Sequence, residues 1–231
     1  QTNKNKMQEV LCSRPELAEK DIYLVRHAQG QHNVSARFDY DPILTKQGLN
    51  QVRGQKSLAQ SLGVDLVLVS PLRRTLQTAT GLFPQHGNMV SFEPLREGVS
   101  ESCNLRLPIE AIAPRFPEVD FSLIESGPDK HLYRFLPSGK TVDPEKYQAL
   151  TDVDCRIEES DEEMDKRAEE VIAFVASRPE KKIALVSHAM FLRALVLAIH
   201  KGMPPQSLKG ADPWFENCEI RELKHVRPEV N

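Results

Sequence analysis

Aromatic residues are scarce in this sequence, 6% of the total with a single tryptophan, and no apolar run approaches the roughly 18 residues of a membrane-spanning helix. No membrane span is expected. Charge of one sign is also lacking. Thirty Lys and Arg stand against 33 Asp and Glu, a net charge of −3, so no basic field invites nucleic acid or an anionic lipid surface. The four cysteines (Cys12, Cys103, Cys155 and Cys218) are scattered, with no CxxC or Cys/His spacing of a zinc site. They read as reduced thiols of an intracellular, cytoplasmic protein. The opening stretch QTNKNKMQEV is polar and lacks the apolar region of a signal peptide, so none is expected within it.

What remains is an ordinary globular composition, 40% hydrophobic and 27% charged over 231 residues. That length supports one good core, and a single domain over 1–231 with an insertion is the expectation. Ile22–Val25, Leu66–Val69 and Ile183–Val186 are short continuous apolar runs, as strands covered on both faces of a parallel sheet require. Met89–Phe92 is a weaker fourth. Helical patterns lie between them: Lys46–Leu62 after a Thr45 cap, with Leu49, Val52 and Leu58 on one face; Pro71–Leu82; a helix opened by a Ser160/Glu163 capping box and closed near Arg178-Pro179; and residues 189–201. This alternation predicts a three-layer α/β/α sandwich with a mostly parallel central sheet. Residues 98–158 break it. Their prolines and mixed aromatics, with one short helix predicted near Leu107–Phe116, read as an inserted cap that selects substrate.

The three strong strands end in Arg26-His27, in Ser70-Pro71-Leu72-Arg73-Arg74, and in Ser187-His188. Ligands of open α/β sheets sit beyond the carboxyl ends of the strands. Two arginines and two histidines gathered there would repel one another, and a tetrahedral dianion would satisfy them together. A phosphate monoester suits the forked donors of arginine. The sequence has no GxxxxGK[ST], no GxGxxG after the first strand and no Asp-rich strand end for Mg²⁺. No metal and no cofactor are therefore expected, and a small-molecule phosphomonoester is the expected partner, the oligomeric state being left open.

RHAQGQHN, SPLRRTLQT and VSHAMFLRAL resemble, in order across 21–200, the three signatures of the histidine phosphatase, or phosphoglycerate mutase-like, superfamily. The RHAxGxHN form and the late FENCEIR stretch are similar to its eukaryotic phosphoglycerate mutase-like subgroup, and LTKQGLNQ fits the family's first helix start. The resemblance implies His27 as the nucleophile that becomes phosphohistidine, with Arg26 beside it on the phosphoryl oxygens. It implies Arg74, the fifth residue of SPLRRT, as the second arginine, with Arg73 a neighbour. His188 would be the second pocket histidine, and Asn33 and Ala189 would help hold the phosphate. The acid falls on Glu97 of EPLREG, with Glu101 and Glu93 behind it.

The same residues carry plainer readings. His32 either touches substrate or caps the loop after the first strand. His86, His131, His200 and His225 read as surface residues, Lys181-Lys182 as a solvated strand entry and Arg193 as structural. Arg106, Arg134 and Lys140 either read a charged substrate tail or make surface salt bridges. Glu97 is followed by GVSESCNLR, without the ERxYG pattern of glycolytic mutases. Hydrolysis is thus favoured over mutase transfer, and a nucleophile retained beside its arginines argues against a non-catalytic scaffold.

Overall fold

In the computed structural model, residues 7–35, 40–135, 157–201 and 213–225 are described. β1 (Gln8–Cys12), β2 (Asp21–Arg26), α1 (Lys46–Ser61), β3 (Leu66–Val69), α2 (Arg73–Leu82), β4 (Met89–Ser91), α3 (Ile109–Ile112), α4 (Asp161–Ser177), β5 (Lys182–Ser187), α5 (Ala189–Ile199) and β6 (Ile220–His225) follow one another along the chain. The sheet order is β1-β6-β2-β5-β3-β4. β2, β5, β3 and β4 run parallel, β6 is antiparallel to β2, and β1 is parallel to β6. This is the expected α/β sandwich. No helix among the described residues is long and apolar enough to cross a membrane.

Strand side chains alternate between the two faces. Tyr23, Val25, Val67, Val69, Ala184 and Val186 join Val52, Ala59, Leu76 and Ala79 of α1 and α2 in one core. Ile22, Leu24, Leu66, Leu68, Ile183 and Leu185 join Ala168, Val171, Leu192 and Leu195 of α4 and α5 in the other. Continuous apolar strands follow directly, because both faces are covered. Thr45 accepts the Gly48 N–H at 3.0 Å and starts α1, and the Ser160/Glu163 capping box starts α4.

Several expectations need correction. α1 turns Gly48, Val52 and Ala59 inward, whereas Leu49 and Leu58 are 40% and 37% exposed. The reason is contact with the loop after β2: a Cβ on Gly48 would lie 2.2 Å from the Gln29 carbonyl oxygen, so the helix packs there on a residue without a side chain. α2 begins at Arg73, two residues later than predicted, after Leu72 in extended conformation. His200 is buried, its Nδ1 2.8 Å from the Val196 carbonyl oxygen, and His86 places its two ring nitrogens on the Asn88 and Val64 carbonyls. His200 is thus not a surface histidine, and His86 is half-buried. The short helix α3 lies where it was predicted, followed by a 3-10 turn, Ala113–Arg115. Around it Leu105, Leu107, Ile112, Phe116 and Phe135 enter the core on the α1/α2 face, so the described part of the insertion is packed into the main body. Tyr147, Lys140 and Cys155 lie outside the described residues.

Arg106 and Arg134 are buried, not surface ion-pair residues. Arg106 bonds Glu93 and the carbonyls of Leu107, Gly127 and Glu125. Arg134 bonds Glu163 and the carbonyls of Ile157 and Glu158. Their donors serve the insertion itself. Arg96 does the same work more deeply, with both terminal nitrogens on the Asp129 carboxylate at 2.8 and 2.7 Å.

Candidate active site

Register sets the site. Arg26 pairs with Ser187 on β5, and Val69 pairs with Val186. His27, Ser70 and His188 therefore leave three neighbouring strands at one level, on the carboxyl edge of the sheet. The His27 ring centroid lies 5.0 Å from that of His188 and 5.4 Å from that of His32.

His27 is 2% exposed, and its Nδ1 sits 2.7 Å from the Ala28 carbonyl oxygen. A carbonyl only accepts, so the proton resides on Nδ1 and Nε2 keeps its lone pair. Burial, with Arg74, His32 and Arg26 nearby, holds the ring's pKa well below the usual histidine range. The ring is neutral at physiological pH. Its backbone is clamped as well: the N–H donates to Ser187 O, while the carbonyl accepts from Cys218 N–H at 3.1 Å and from Asn217 Nδ2 at 3.3 Å.

Arg74 and Arg73 are neighbours with different fates. Arg73 turns to Asp41, bonding its carbonyl through Nε at 2.8 Å. Arg74, 1% exposed, donates from Nε to His188 Nδ1 at 3.2 Å, from Nη1 to Cys103 O at 2.7 Å and from Nη2 to Asn104 Oδ1 at 2.9 Å. One N–H on each terminal nitrogen is left over. His188 accepts the Arg74 Nε–H bond on Nδ1 and donates from Nε2 to Ser70 Oγ at 2.8 Å. Burial and Arg74 lower its pKa well below normal, so it too is neutral, and both its nitrogens serve to hold Arg74 in place. Arg26 donates from Nη1 to Phe215 O at 2.5 Å, while its buried Nε has no partner among the described residues.

Glu97 lies at the start of α5. Its Oε1 accepts the N–H groups of Phe191 and Gly98, each at 3.0 Å, and Oε2 accepts that of Met190 at 3.4 Å. Glu97 acts electrostatically on both Arg26 and Arg74. Ala189, the first residue of α5, precedes the Met190 and Phe191 N–H groups and follows His188. Glu93 is occupied elsewhere, one oxygen on Arg96 and the other on Arg106. Glu101 meets the Cys103 thiol at 3.6 Å. Asn33 Oδ1 accepts the Gly30 N–H at 2.9 Å and Asn217 Nδ2 at 3.5 Å, and Nδ2 donates one of its two N–H groups to His32 Nε2 at 3.2 Å. The thiols are poor nucleophiles. Burial pushes Cys218 up to about 12, and burial with Glu101 raises Cys103 to about 12 against the pull of Arg74. Among the described residues no cluster of three or more His, Cys, Asp or Glu side chains is placed to hold a metal ion.

Phe215, Asn217 and Cys218, within the FENCEIR stretch, are contacts of the site that the sequence does not single out. Their signal is the loop's conformation, with Cys218 in the left-handed region at φ 63°, and no residue pattern announces it.

Residues 22–118 and 111–229 match the family model of the histidine phosphatase superfamily (branch 1). Phosphoglycerate mutase-like protein 1 of Arabidopsis thaliana is 33% identical, covering 88% of this chain and 80% of its own. A Schizosaccharomyces pombe protein named a probable phosphatase is 28% identical over 92% of this chain and 94% of its own. Among solved structures, a mycobacterial glucosyl-3-phosphoglycerate phosphatase complexed with VO3 superposes with a TM-score of 0.56 at 20% identity, covering 89% of this chain and 92% of that one.

Proposed function

Because the chain belongs to the histidine phosphatase superfamily, we propose that it is a metal-independent phosphatase hydrolysing a small phosphomonoester through a phosphohistidine at His27. The observation that carries this reading is the His27 tautomer: Nδ1–H held on the Ala28 carbonyl, Nε2 bare and neutral beside the buried Arg74 and half-buried Arg26 guanidiniums. Nε2 attacks phosphorus while the bond to the leaving alkoxide breaks. Arg26 and Arg74 bind the equatorial oxygens from fixed positions, so little reorganisation accompanies the charge shift. With the phosphate dianion bound beside it, Glu97 takes up a proton and passes it to the leaving oxygen. Its carboxylate then takes a proton from the water that attacks phosphohistidine, releasing inorganic phosphate and restoring the imidazole. The Ala189 N–H, at the positive end of α5, is a further phosphate donor in this reading. Residues 98–158 select the substrate, and the free thiols of Cys12, Cys103 and Cys218 support a cytoplasmic setting.

Hydrolysis of an aryl phosphate should be unchanged by EDTA, and an acid-labile phosphoenzyme should be trapped on rapid quenching. Strong inhibition by the chelator would overturn the metal-free reading. Glu97→Gln should slow poor alkyl leaving groups by about 10²–10⁴-fold and p-nitrophenolate far less. Equal slowing of both, measured as kcat/KM, would remove Glu97 from the proton-donor role.

A further inference from the structure

We propose that His32 is a catalytic residue of this site, its Nδ1–H donating a hydrogen bond to an oxygen of the phosphoryl group transferred to His27. The role rests on the phosphatase reading above and adds a donor to it. The argument begins at Gly30, whose backbone N–H lies 2.9 Å from an Asn33 side-chain atom and can only donate, so that atom is the amide oxygen. The Asn33 amide is thereby oriented, and its Nδ2 stands 3.2 Å from His32 Nε2. An amide nitrogen only donates, so Nε2 bears the lone pair and the proton of the neutral ring sits on Nδ1. The ring is neutral because burial, with the nearby Arg74 and Arg26, lowers its pKa to about 3.

That N–H is buried and has no acceptor among the described residues. A donor left in this state is costly, and native structures rarely keep one without a use. A Cβ at position 30 would fall 2.7 Å from both His32 Nδ1 and Cε1 and 3.5 Å from Arg74 Cδ, so the Nδ1–Cε1 bond of the ring lies against Gly30 with the Arg74 side chain close by. The ring centroid is 5.4 Å from that of the nucleophile. A cap for the loop would need only the Nε2 bond. It would leave unexplained a buried Nδ1–H with no acceptor among the described residues, on a ring packed against a glycine and close to Arg74 and His27. Phosphoryl oxygens are pure acceptors, and the donor they meet here carries no charge.

The test compares wild type with His32→Phe, which keeps a ring without an N–H, and with His32→Asn, whose amide nitrogen falls near the place of Nδ1. Inorganic vanadate binding and kcat/KM for p-nitrophenyl phosphate are measured from pH 5 to 8, with thermal melting to confirm folding. His32→Phe should lose about 10- to 100-fold in both, with a pH profile of unchanged shape, and His32→Asn should recover part of the loss. Vanadate affinity equal to wild type in His32→Phe, or an Asn variant as impaired as Phe, overturns the donor role and leaves the phosphatase reading intact. A wild-type protein that neither binds vanadate nor hydrolyses the ester removes both.

Discussion

His27→Ala is expected to abolish turnover of p-nitrophenyl phosphate, by about 10⁴- to 10⁶-fold, while the protein remains folded. The loss is large because no neighbour can stand in. His188 has its nitrogens committed to Arg74 and Ser70, and the thiols of Cys103 and Cys218 are held in the protonated form by burial. Folding survives because the backbone of residue 27 keeps its bonds to Ser187, Cys218 and Asn217. The side chain gives up one hydrogen bond and leaves the Ala28 carbonyl unmatched, about 1–3 kcal/mol. A residual rate above a few per cent, in a variant that melts near wild type, would take the nucleophile role away from His27. The pH profile carries a second sign. The pKa of His27 lies well below its ordinary value, so the neutral nucleophile persists as pH falls through 6.5, and the acid limb of kcat/KM should not show an inflection there.

Asp129→Ala should be the most destabilising of these substitutions, by about 3–5 kcal/mol, because it strands the Arg96 guanidinium in the interior. Arg96 and Asp129 are 1% and 2% exposed and joined by two parallel bonds, with the Asp129 carboxylate also accepting the N–H groups of Arg106 and His131. A fall in Tm of roughly 6–20 °C is the corresponding reading by differential scanning calorimetry. Burial alone would raise the Asp129 pKa, but Arg96 and the two N–H groups overcome it and hold the carboxyl down to about 2. Its folded pKa is thus below the unfolded value near 3.8. The stabilisation, about 2 kcal/mol, is complete above pH 4 and is lost as pH falls through 2. A variant within about 1 kcal/mol of wild type in urea unfolding would show that the pair does not hold the insertion.

Which parts of the molecule the residues announced follows from where the determinants lie. β2, β3 and β5 were legible because full burial leaves an apolar run with no alternation to misread. β1 and β6 escaped notice, since QEVLC and IRELKH are half polar and occupy the side of the sheet where the strand direction reverses. His27, His188 and Arg74 converge because each immediately follows a strand or opens the helix after it, and strand register is a local property. The division between Arg73 and Arg74 is tertiary, set by Asp41 on one side and Cys103 and Asn104 on the other. The same holds for Glu97, whose location at the head of α5 depends on a segment 93 residues away. Arg106 and Arg134 were misjudged for a related reason: composition shows a charge, and only the packed insertion shows the carbonyls it serves.

Asn104 holds Arg74 with its side-chain oxygen, Arg96 with its backbone carbonyl and Gly98 with its side-chain nitrogen. One residue near the root of the insertion is therefore a shared hinge pin for the Arg74 guanidinium and for the Arg96–Asp129 pair. The strand-end cluster and the insertion are mechanically geared in this chain. A substitution that reshapes residues 98–105 also moves a guanidinium.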